Sequence, residues 1–378
     1  MAKKLTILQI VTRRQYRGAE MFASKLSEGL VALGHQVVFL GLYAAPLADL
    51  QPKGAECFDL DGNSTSFISF DLLRNLKQFI ADHNPDIIQA NGSDTLKYAA
   101  LCKRQFPQIP FIYRLISMPS YWMGTNPIKR MVYRYFYGKT DFVTGVGRPA
   151  IEQLCNLMNY PPAQTNVIYR GVDEDVFDKN ASREMLRKAL NLSAKAQVFI
   201  TVGALKDEKD HHFMIEAFAQ MNPFEKERHL VILGEGDLKG VLQAKSKSLG
   251  LEMKIHFVGF KDNVGEWLAG SDLFLLTSRI EGVPGVVIEA AIQELTTLAL
   301  DVGGVREVIK HEETGIALPN REVDSFAFYA DYLLNNPALL AQMGKNARKL
   351  ATNKFGLKRA VLEFEELYYR WQSKANQS

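Results

Sequence analysis

Asp272-Leu273-Phe274-Leu275-Leu276-Thr277-Ser278-Arg279-Ile280-Glu281-Gly282-Val283-Pro284-Gly285-Val286-Val287-Ile288-Glu289-Ala290-Ala291 is the stretch on which the reading of this chain turns. The apolar run from Leu273 to Leu276 has the length of a buried strand. A Gly-Val-Pro-Gly turn follows, and the Val-Val-Ile-Glu-Ala-Ala segment opens a helix. Glu281 then sits in a loop at the carboxyl end of a strand, with Glu289 about one turn into the next helix. Backbone amides and the positive end of the helix dipole lie between them, and they suit an anionic or polyhydroxylated ligand. Each carboxylate can accept a pair of hydroxyl hydrogen bonds, as from a ribose or hexose ring.

The same alternation of strand and helix runs through the chain. Leu5 to Val11, Val37 to Leu40, Asp86 to Gln89, Phe111 to Tyr113 and Phe142 to Thr144 are strand-like. So are Val198 to Val202, Leu230 to Leu233, Ile255 to Phe257 and Leu273 to Leu276, with helix-length amphipathic segments between them. Such alternation predicts parallel sheets covered by helices. At 378 residues the chain exceeds the size at which one core stops growing, so two domains are expected. Both halves start alike, with a strand, a glycine loop and a helix at Ile7 to Glu20 and Val198 to Phe218. The boundary is placed after Val172-Asp173, where Asp173 to Ser182 reads as a polar loop.

Composition narrows the function classes. A net charge of +3 gives no reason to expect a nucleic-acid partner. Cys57, Cys102 and Cys155 are widely spaced, which fits a reducing compartment and no disulfide framework. The Leu5 to Val11 run ends before it could form a signal segment, and no run approaches membrane-spanning length. A cytoplasmic protein, or one peripheral to the cytoplasmic face of a membrane, is the expectation. Gly234-Glu235-Gly236 lacks dinucleotide-fingerprint spacing and reads as a tight turn, which disfavours a nicotinamide oxidoreductase. His211 and His212 are adjacent, so on a helix they diverge and make a poor metal pair.

The Ser278-x-x-Glu281-Gly282-x-Pro284 frame with Glu281 and Glu289 resembles the signature of family 4 retaining glycosyltransferases. Further segments in the same order extend the resemblance over nearly the whole chain. They are Arg17-Gly18-Ala19-Glu20, Leu33-Gly34-His35-Gln36-Val37, Val167-Ile168-Tyr169-Arg170-Gly171-Val172-Asp173 and Val202-Gly203-Ala204-Leu205 with Lys209. Leu233-Gly234-Glu235-Gly236, Val258-Gly259-Phe260 and Val302-Gly303-Gly304-Val305-Arg306-Glu307-Val308-Ile309 complete the set.

The resemblance implies a GT-B fold, two Rossmann-like domains facing each other across a cleft. Residues 1–173 would bind acceptor, residues 174–357 nucleotide sugar, and the C-terminal helix 358–378 would cross back to the first domain. It implies retaining transfer of a hexose-type sugar from a nucleoside diphosphate sugar to a hydroxyl acceptor, glycan or lipid-linked. Lys209 and the Gly18 loop would hold the diphosphate, and Glu289 the ribose hydroxyls. Glu281 and the amides of the Gly282, Val283, Pro284 and Gly285 segment would position the sugar. Lys209 and Glu281 are the candidate catalytic groups. Front-face attack, with the donor phosphate taking the acceptor proton, needs no enzyme nucleophile. Neither metal nor cofactor is expected beyond the donor itself. The Phe260 ring is placed either against the nucleobase or in the core.

Three features of the sequence depart from the family pattern. Ala204 stands where relatives carry an arginine after the glycine, leaving that diphosphate contact to Lys206, Arg170 or another basic group. Asn91 and Arg114 end the middle strands where many relatives have a histidine, and they are the candidate acceptor-binding residues. Glu294-Leu295-Thr296 replaces a Gly-x-Pro after Glu289, so that turn must be built differently. These departures keep open a catalytically silent scaffold, and the fold keeps open a nucleotide-sugar epimerase.

The segment 128–137 patterns as an amphipathic helix. Ile128, Met131, Val132, Tyr135 and Phe136 form the expected core face, opposite Lys129, Arg130, Tyr133, Arg134 and Tyr137. The basic face is either solvated or set against anionic lipid headgroups.

Overall fold

The computed structural model describes residues 3–44, 50–60, 62, 67–120 and 126–375. The chain divides into two units, Met1–Gly171 with Leu357–Ser378, and Val172–Gly356. In the first, β1 (Thr6–Arg13), β2 (Gln36–Tyr43), β3 (Glu56–Asp59), β4 (Ile87–Asn91), β5 (Phe111–Leu115), β6 (Phe142–Gly145) and β7 (Thr165–Val167) form one sheet. Its order is β3-β2-β1-β4-β5-β6-β7, and every pairing is parallel. Successive residues turn to opposite faces, and both faces are covered. Leu8, Ile88, Phe111 and Tyr113 join one apolar cluster, whereas Ile7, Ile87 and Ile112 join another. Continuous apolar strands, with both sides buried, are what a parallel sheet requires.

The second cluster is closed by the C-terminal helix Leu357–Ala375, through Ala360, Val361, Phe364, Leu367 and Tyr368. Gly29, in the helix Gly18–Ala32, lets the two helices approach, since a Cβ there would collide with Val361. His35 Nε2 and Glu365 Oε1 meet at 2.9 Å.

The second unit contains β8 (Gln197–Val202), β9 (Arg228–Leu233), β10 (Ile255–Gly259), β11 (Leu273–Leu276), β12 (Thr297–Leu300) and β13 (Gly315–Leu318). They form a parallel sheet in the order β10-β9-β8-β11-β12-β13. In both sheets the order reverses beside the first strand, at β1/β4 and at β8/β11. Such a switch point splays the loops beyond the strand ends and opens a crevice for ligand.

Local chemistry explains the element ends. The segment read as a loop to Ser182 becomes helical at Lys179, because the Asp178 carboxylate accepts from Ala181 N at 2.7 Å. The turn after the helix Gly285–Ile292 places Glu294 at φ 55°, and Leu295 N donates to Ala290 O at 3.0 Å. This is a Schellman-type stop with a glutamate in the left-handed position that glycine usually takes. No helix among the described residues is long and apolar enough to cross a membrane.

The helix Pro127–Tyr137 starts where expected, with Asn126 Oδ1 accepting from Lys129 N at 3.1 Å, but its buried face differs from the pattern. Tyr133, Phe136 and Tyr137 are buried, whereas Ile128, Met131 and Tyr135 are 68%, 67% and 54% exposed. Ring packing decides the rotation. Tyr133 meets Phe67 at 6.5 Å between centroids, and Tyr137 meets Tyr113 at 5.5 Å and Tyr160 at 6.2 Å. Burying Tyr133 and Tyr137 beside Phe136 removes more aromatic surface from water, and pairs more rings, than burying Ile128 and Met131 would.

Candidate active site

Lys209 and Glu281 come from loops that follow β8 and β11, the two strands flanking the switch point of the second sheet. Lys209 Nζ donates to Glu281 Oε1 at 2.7 Å, and Ser278 Oγ donates to the same oxygen at 2.6 Å. The lysine side chain is 27% exposed and the carboxylate only 10%. The ammonium is therefore the outer partner, reachable by an anion, and the carboxylate fixes its position. The aliphatic carbons of Lys209 run alongside Gly203, 3.7 Å from where a Cβ would stand.

A buried network holds the two loops together. Asp210, the N-cap of the helix His211–Ala219, accepts from Phe213 N at 3.3 Å. Its other oxygen pairs with Arg321 Nη1 at 2.7 Å and Arg279 Nη2 at 2.9 Å. Arg321 also donates to the carbonyls of Thr277 and Ser278, at 3.0 and 2.8 Å. Thr277 Oγ1 donates back to the carbonyls of Lys209 and Asp210, each at 3.1 Å. Burial lowers the Arg321 pKa; the Asp210 carboxylate opposes that shift and Arg279 adds to it. Sequence gave no local sign of Arg321, which lies 44 positions beyond Thr277.

The glutamate loop is gripped from the other side by Gly303 and Gly304. Gly304 N donates to Gly282 O at 2.8 Å. A Cβ on Gly303 would collide with the Glu281 carbonyl, and one on Gly304 with the Gly282 carbonyl. Gly303 is also at φ 56°, so both space and backbone conformation call for glycine. The adjacent glycines after a strand were the sequence signal for this close approach.

Gly285 begins the helix Gly285–Ile292, and Glu289 is its fifth residue, half-buried. Phe260, the residue after β10, is 67% exposed, which removes the core-packing reading of its ring. Glu235 and Gly236 follow Gly234, which turns at φ 136° directly after β9. A pocket of about 450 Å³ opens beside the lysine loop, lined by Asp207, Asp210, His212, Leu238 and Arg279. His211 is buried and pushed down to about 4, by burial first and then by the Lys209 charge. No group of three or more potential metal ligands occurs among the described residues.

In the first unit, Gly18 begins the helix Gly18–Ala32 just beyond β1. Asn91 and Arg114 are interior rather than surface-facing. Asn91 Nδ2 donates to Gln9 Oε1 at 3.1 Å and to Ile10 O at 3.2 Å, and Gln89 Nε2 donates to its Oδ1 at 3.3 Å. Tyr368 joins that network, donating to Gln89 Oε1 and accepting from Gln9 Nε2. The Asn91 amide is thus engaged in holding the C-terminal helix to the sheet. Arg114 lies against Phe22, its guanidinium carbon 3.8 Å from the ring centroid.

Two family models match successive parts of the chain: Glycosyltransferase Family 4 over residues 16–176, and Glycosyl transferases group 1 over residues 182–350. The chain belongs to the family 4, group 1 glycosyltransferases. Among curated relatives of this family 4 chain is the N-acetyl-alpha-D-glucosaminyl L-malate synthase of Bacillus anthracis. It is 29% identical over 247 residues, 65% of this chain and 64% of the relative. A Campylobacter jejuni protein, N-acetylgalactosamine-N,N'-diacetylbacillosaminyl-diphospho-undecaprenol 4-alpha-N-acetylgalactosaminyltransferase, is 27% identical over 60% of each chain. The matched region thus spans less than two thirds of these relatives' length. Anabaena HepE, solved with UDP-glucose, has the same fold at a TM-score of 0.82 and 20% identity, over 97% of this chain and all of that one. The fold is GT-B, built from two Rossmann-like parallel-sheet domains.

Proposed function

We propose that this family 4 protein is a retaining glycosyltransferase that moves a hexose-type sugar from a uridine diphosphate sugar to a hydroxyl of a glycan or lipid-linked acceptor. The observation that carries the reading is the Lys209–Glu281–Ser278 cluster at the switch point, clamped by Asp210 and Arg321. Its preorganised cation suits a leaving diphosphate, whose charge develops as the glycosidic bond breaks. Lys209 takes that charge, assisted by the amides at Gly285 and the dipole of the helix they open. Glu281 accepts from the sugar hydroxyls through its remaining acceptor capacity, and Glu289 from the ribose hydroxyls. The exposed Phe260 ring offers a stacking surface to uracil.

In this reading the acceptor hydroxyl attacks on the face from which the diphosphate leaves, and a donor phosphate oxygen takes its proton. The lysine and the helix dipole supply the positive charge, so neither a metal ion nor an enzyme nucleophile is assigned. The Campylobacter jejuni relative is named for a diphospho-undecaprenol acceptor, and the HepE structure contains UDP-glucose. These support a UDP donor and a lipid-linked acceptor for this chain.

The helix Pro127–Tyr137 fits such an acceptor. Its exposed Ile128, Met131 and Tyr135 form one stripe at i, i+3 and i+7, with Arg134 and Lys139 exposed beside it. Apolar side chains flanked by cations suit an anionic bilayer surface, so we place the enzyme at the cytoplasmic face of a membrane. Ile128→Ser with Met131→Ser should abolish co-sedimentation with anionic vesicles and leave nucleotide binding intact. Undiminished co-sedimentation would remove the surface from the account.

The transfer itself is tested by incubating the protein with UDP-hexoses and membrane lipid extract, reading UDP release and the anomeric configuration of the product by NMR. A product with the donor's anomeric configuration is expected. Inverted product would end the retaining mechanism, and binding without turnover on any acceptor would favour the silent scaffold.

A further inference from the structure

The pocket of about 450 Å³ beside the lysine loop contains polar groups that the transfer chemistry above leaves unused. Its volume falls within the range of about 300–1,000 Å³ that holds small-molecule ligands. Asp207, Asp210, His212, Leu238 and Arg279 line it, whereas Lys209, Glu281, Glu289 and Phe260 do not. The cavity thus lies outside the group of residues assigned to the donor.

Backbone contacts fix its walls. Leu205 N donates to Glu235 O at 3.0 Å, and Leu238 N donates to Leu205 O at 3.2 Å. Gly236 packs so closely that a Cβ on it would collide with the Leu205 carbonyl. These contacts join the loop after β8 to the loop after β9. On a third side Arg279 N donates to Glu208 O at 2.8 Å, which ties the loop after β11 to the same turn. A pocket held in this way loses little freedom when a ligand enters.

The lining groups are chemically mixed. The Asp207 carboxylate and the His212 imidazole have no hydrogen-bond or ion-pair partner among the described residues. The Arg279 side chain is 62% exposed and gives Nη2 to Asp210 at 2.9 Å, which leaves other guanidinium donors free. The carboxylates of Asp207 and Asp210 are balanced by the guanidiniums of Arg279 and Arg321. With no excess charge, the site does not select a phosphate. It suits a neutral ligand whose groups both donate and accept, as hydroxyls do. Leu238, packed against the core of this unit, adds an apolar wall for the C–H face of a sugar ring. A metal ion is not the occupant, since no group of three or more potential ligands converges among the described residues.

We propose that this pocket is a saccharide-binding subsite that takes one neutral pyranose. Asp207 accepts from its hydroxyls, Arg279 and His212 donate to them, and Leu238 packs against the ring. The subsite does not rest on the glycosyl-transfer reading. On that reading it anchors a glycan by a sugar other than the one that receives transfer, because the reacting hydroxyl must meet the diphosphate at Lys209.

The test is saturation-transfer NMR on the full chain with the methyl α-glycosides of glucose, galactose and N-acetylglucosamine, each titrated with and without saturating UDP. At least one glycoside should bind the wild type in the millimolar range. Asp207→Ala should weaken that binding by about tenfold, the effect of removing a charged acceptor, and His212→Ala should weaken it less. Asp207 is exposed and His212 half-buried, so neither change opens the core. UDP affinity, read by calorimetry, should be the same in both variants as in the wild type.

No glycoside binding by the wild type, or unchanged affinity in both variants, overturns the subsite. Displacement of the glycoside by UDP, or a parallel loss of UDP affinity in the variants, also overturns it, since the sugar then sits in the donor cluster. Failure of UDP to bind, with glycoside binding lost in Asp207→Ala, would strike the proposed function and leave the subsite standing.

Discussion

At the residue scale the account rests on Lys209 being held ready rather than merely present. A surface lysine samples many rotamers, but here Glu281 Oε1 fixes the ammonium at 2.7 Å and Ser278 Oγ fixes that oxygen in turn. Lys209→Ala should therefore reduce turnover by about 100-fold, the typical effect of losing one preorganised group facing the leaving charge. Ser278→Ala should leave the cation in place and act more weakly, by about tenfold, as one hydrogen bond to a charged group is removed. Steady-state assays with UDP-hexoses check both, and equal effects would show that the hydroxyl does more than orient the glutamate. Asp210→Ala should cost about 2–3 kcal/mol of stability in urea unfolding, because the charge-assisted bonds to Arg321 and Arg279 go with it. Lys209 and Glu281 were legible because their signals are local, each a few residues from a strand end and a glycine. Arg321 was not, since only the folded chain brings it to Asp210.

At the element scale the turn after the helix Gly285–Ile292 shows how a missing motif is replaced. Glu294 adopts the left-handed conformation, and Gly344, in the helix Pro337–Phe355, packs so tightly that a Cβ on it would collide with the Glu294 carbonyl. Glu294→Gly should stabilise the fold by up to about 1 kcal/mol, since an L-residue pays that much for this conformation. The Arg348 ion pair it would lose is 3.2 Å long and partly exposed, and such pairs contribute little. Gly344→Ala should instead destabilise by about 1–3 kcal/mol through overpacking. Chemical denaturation decides both signs. That the turn differs from the family's was readable from Glu294-Leu295-Thr296, but the compensating glycine 50 residues onward was not. Nor was the rotation of the helix Pro127–Tyr137 visible in periodicity, because its aromatic partners Phe67, Tyr113 and Tyr160 come from three other segments. The strands β3 and β7 escaped notice for a simpler reason. They are sheet edges of four and three residues, partly exposed, with little apolar run to announce them.

At the scale of the whole molecule, alternating apolar runs were enough to predict two parallel sheets, since burial on both faces demands them. The strand order was not contained in that alternation, and it is the order that puts Lys209 and Glu281 on neighbouring loops. Global stability carries a pH signature of its own. Burial pushes His211 and His229 down to about 4 and lowers His256, whose Nε2 meets His229 Nδ1 at 2.9 Å. In the unfolded chain these imidazoles take protons near pH 6.5, so between about 6.5 and 4 the unfolded state binds more protons. Their contribution is fully present above that window and is lost as pH falls through it. Unfolding midpoints should drop from pH 7 to pH 4.5, and less steeply in a His229→Gln, His256→Gln double variant. An equal slope in the variant would show that other groups set the acid limit.

The central claim is that the second unit holds a nucleoside diphosphate sugar through Lys209 and Glu289, and the most direct test is calorimetric titration with UDP and UDP-hexoses. The wild type should bind UDP and at least one UDP-hexose, while Lys209→Ala and Glu289→Ala should each weaken that binding by about tenfold or more, about 1.4 kcal/mol. Binding that is absent in the wild type, or unchanged in both variants, would contradict the account.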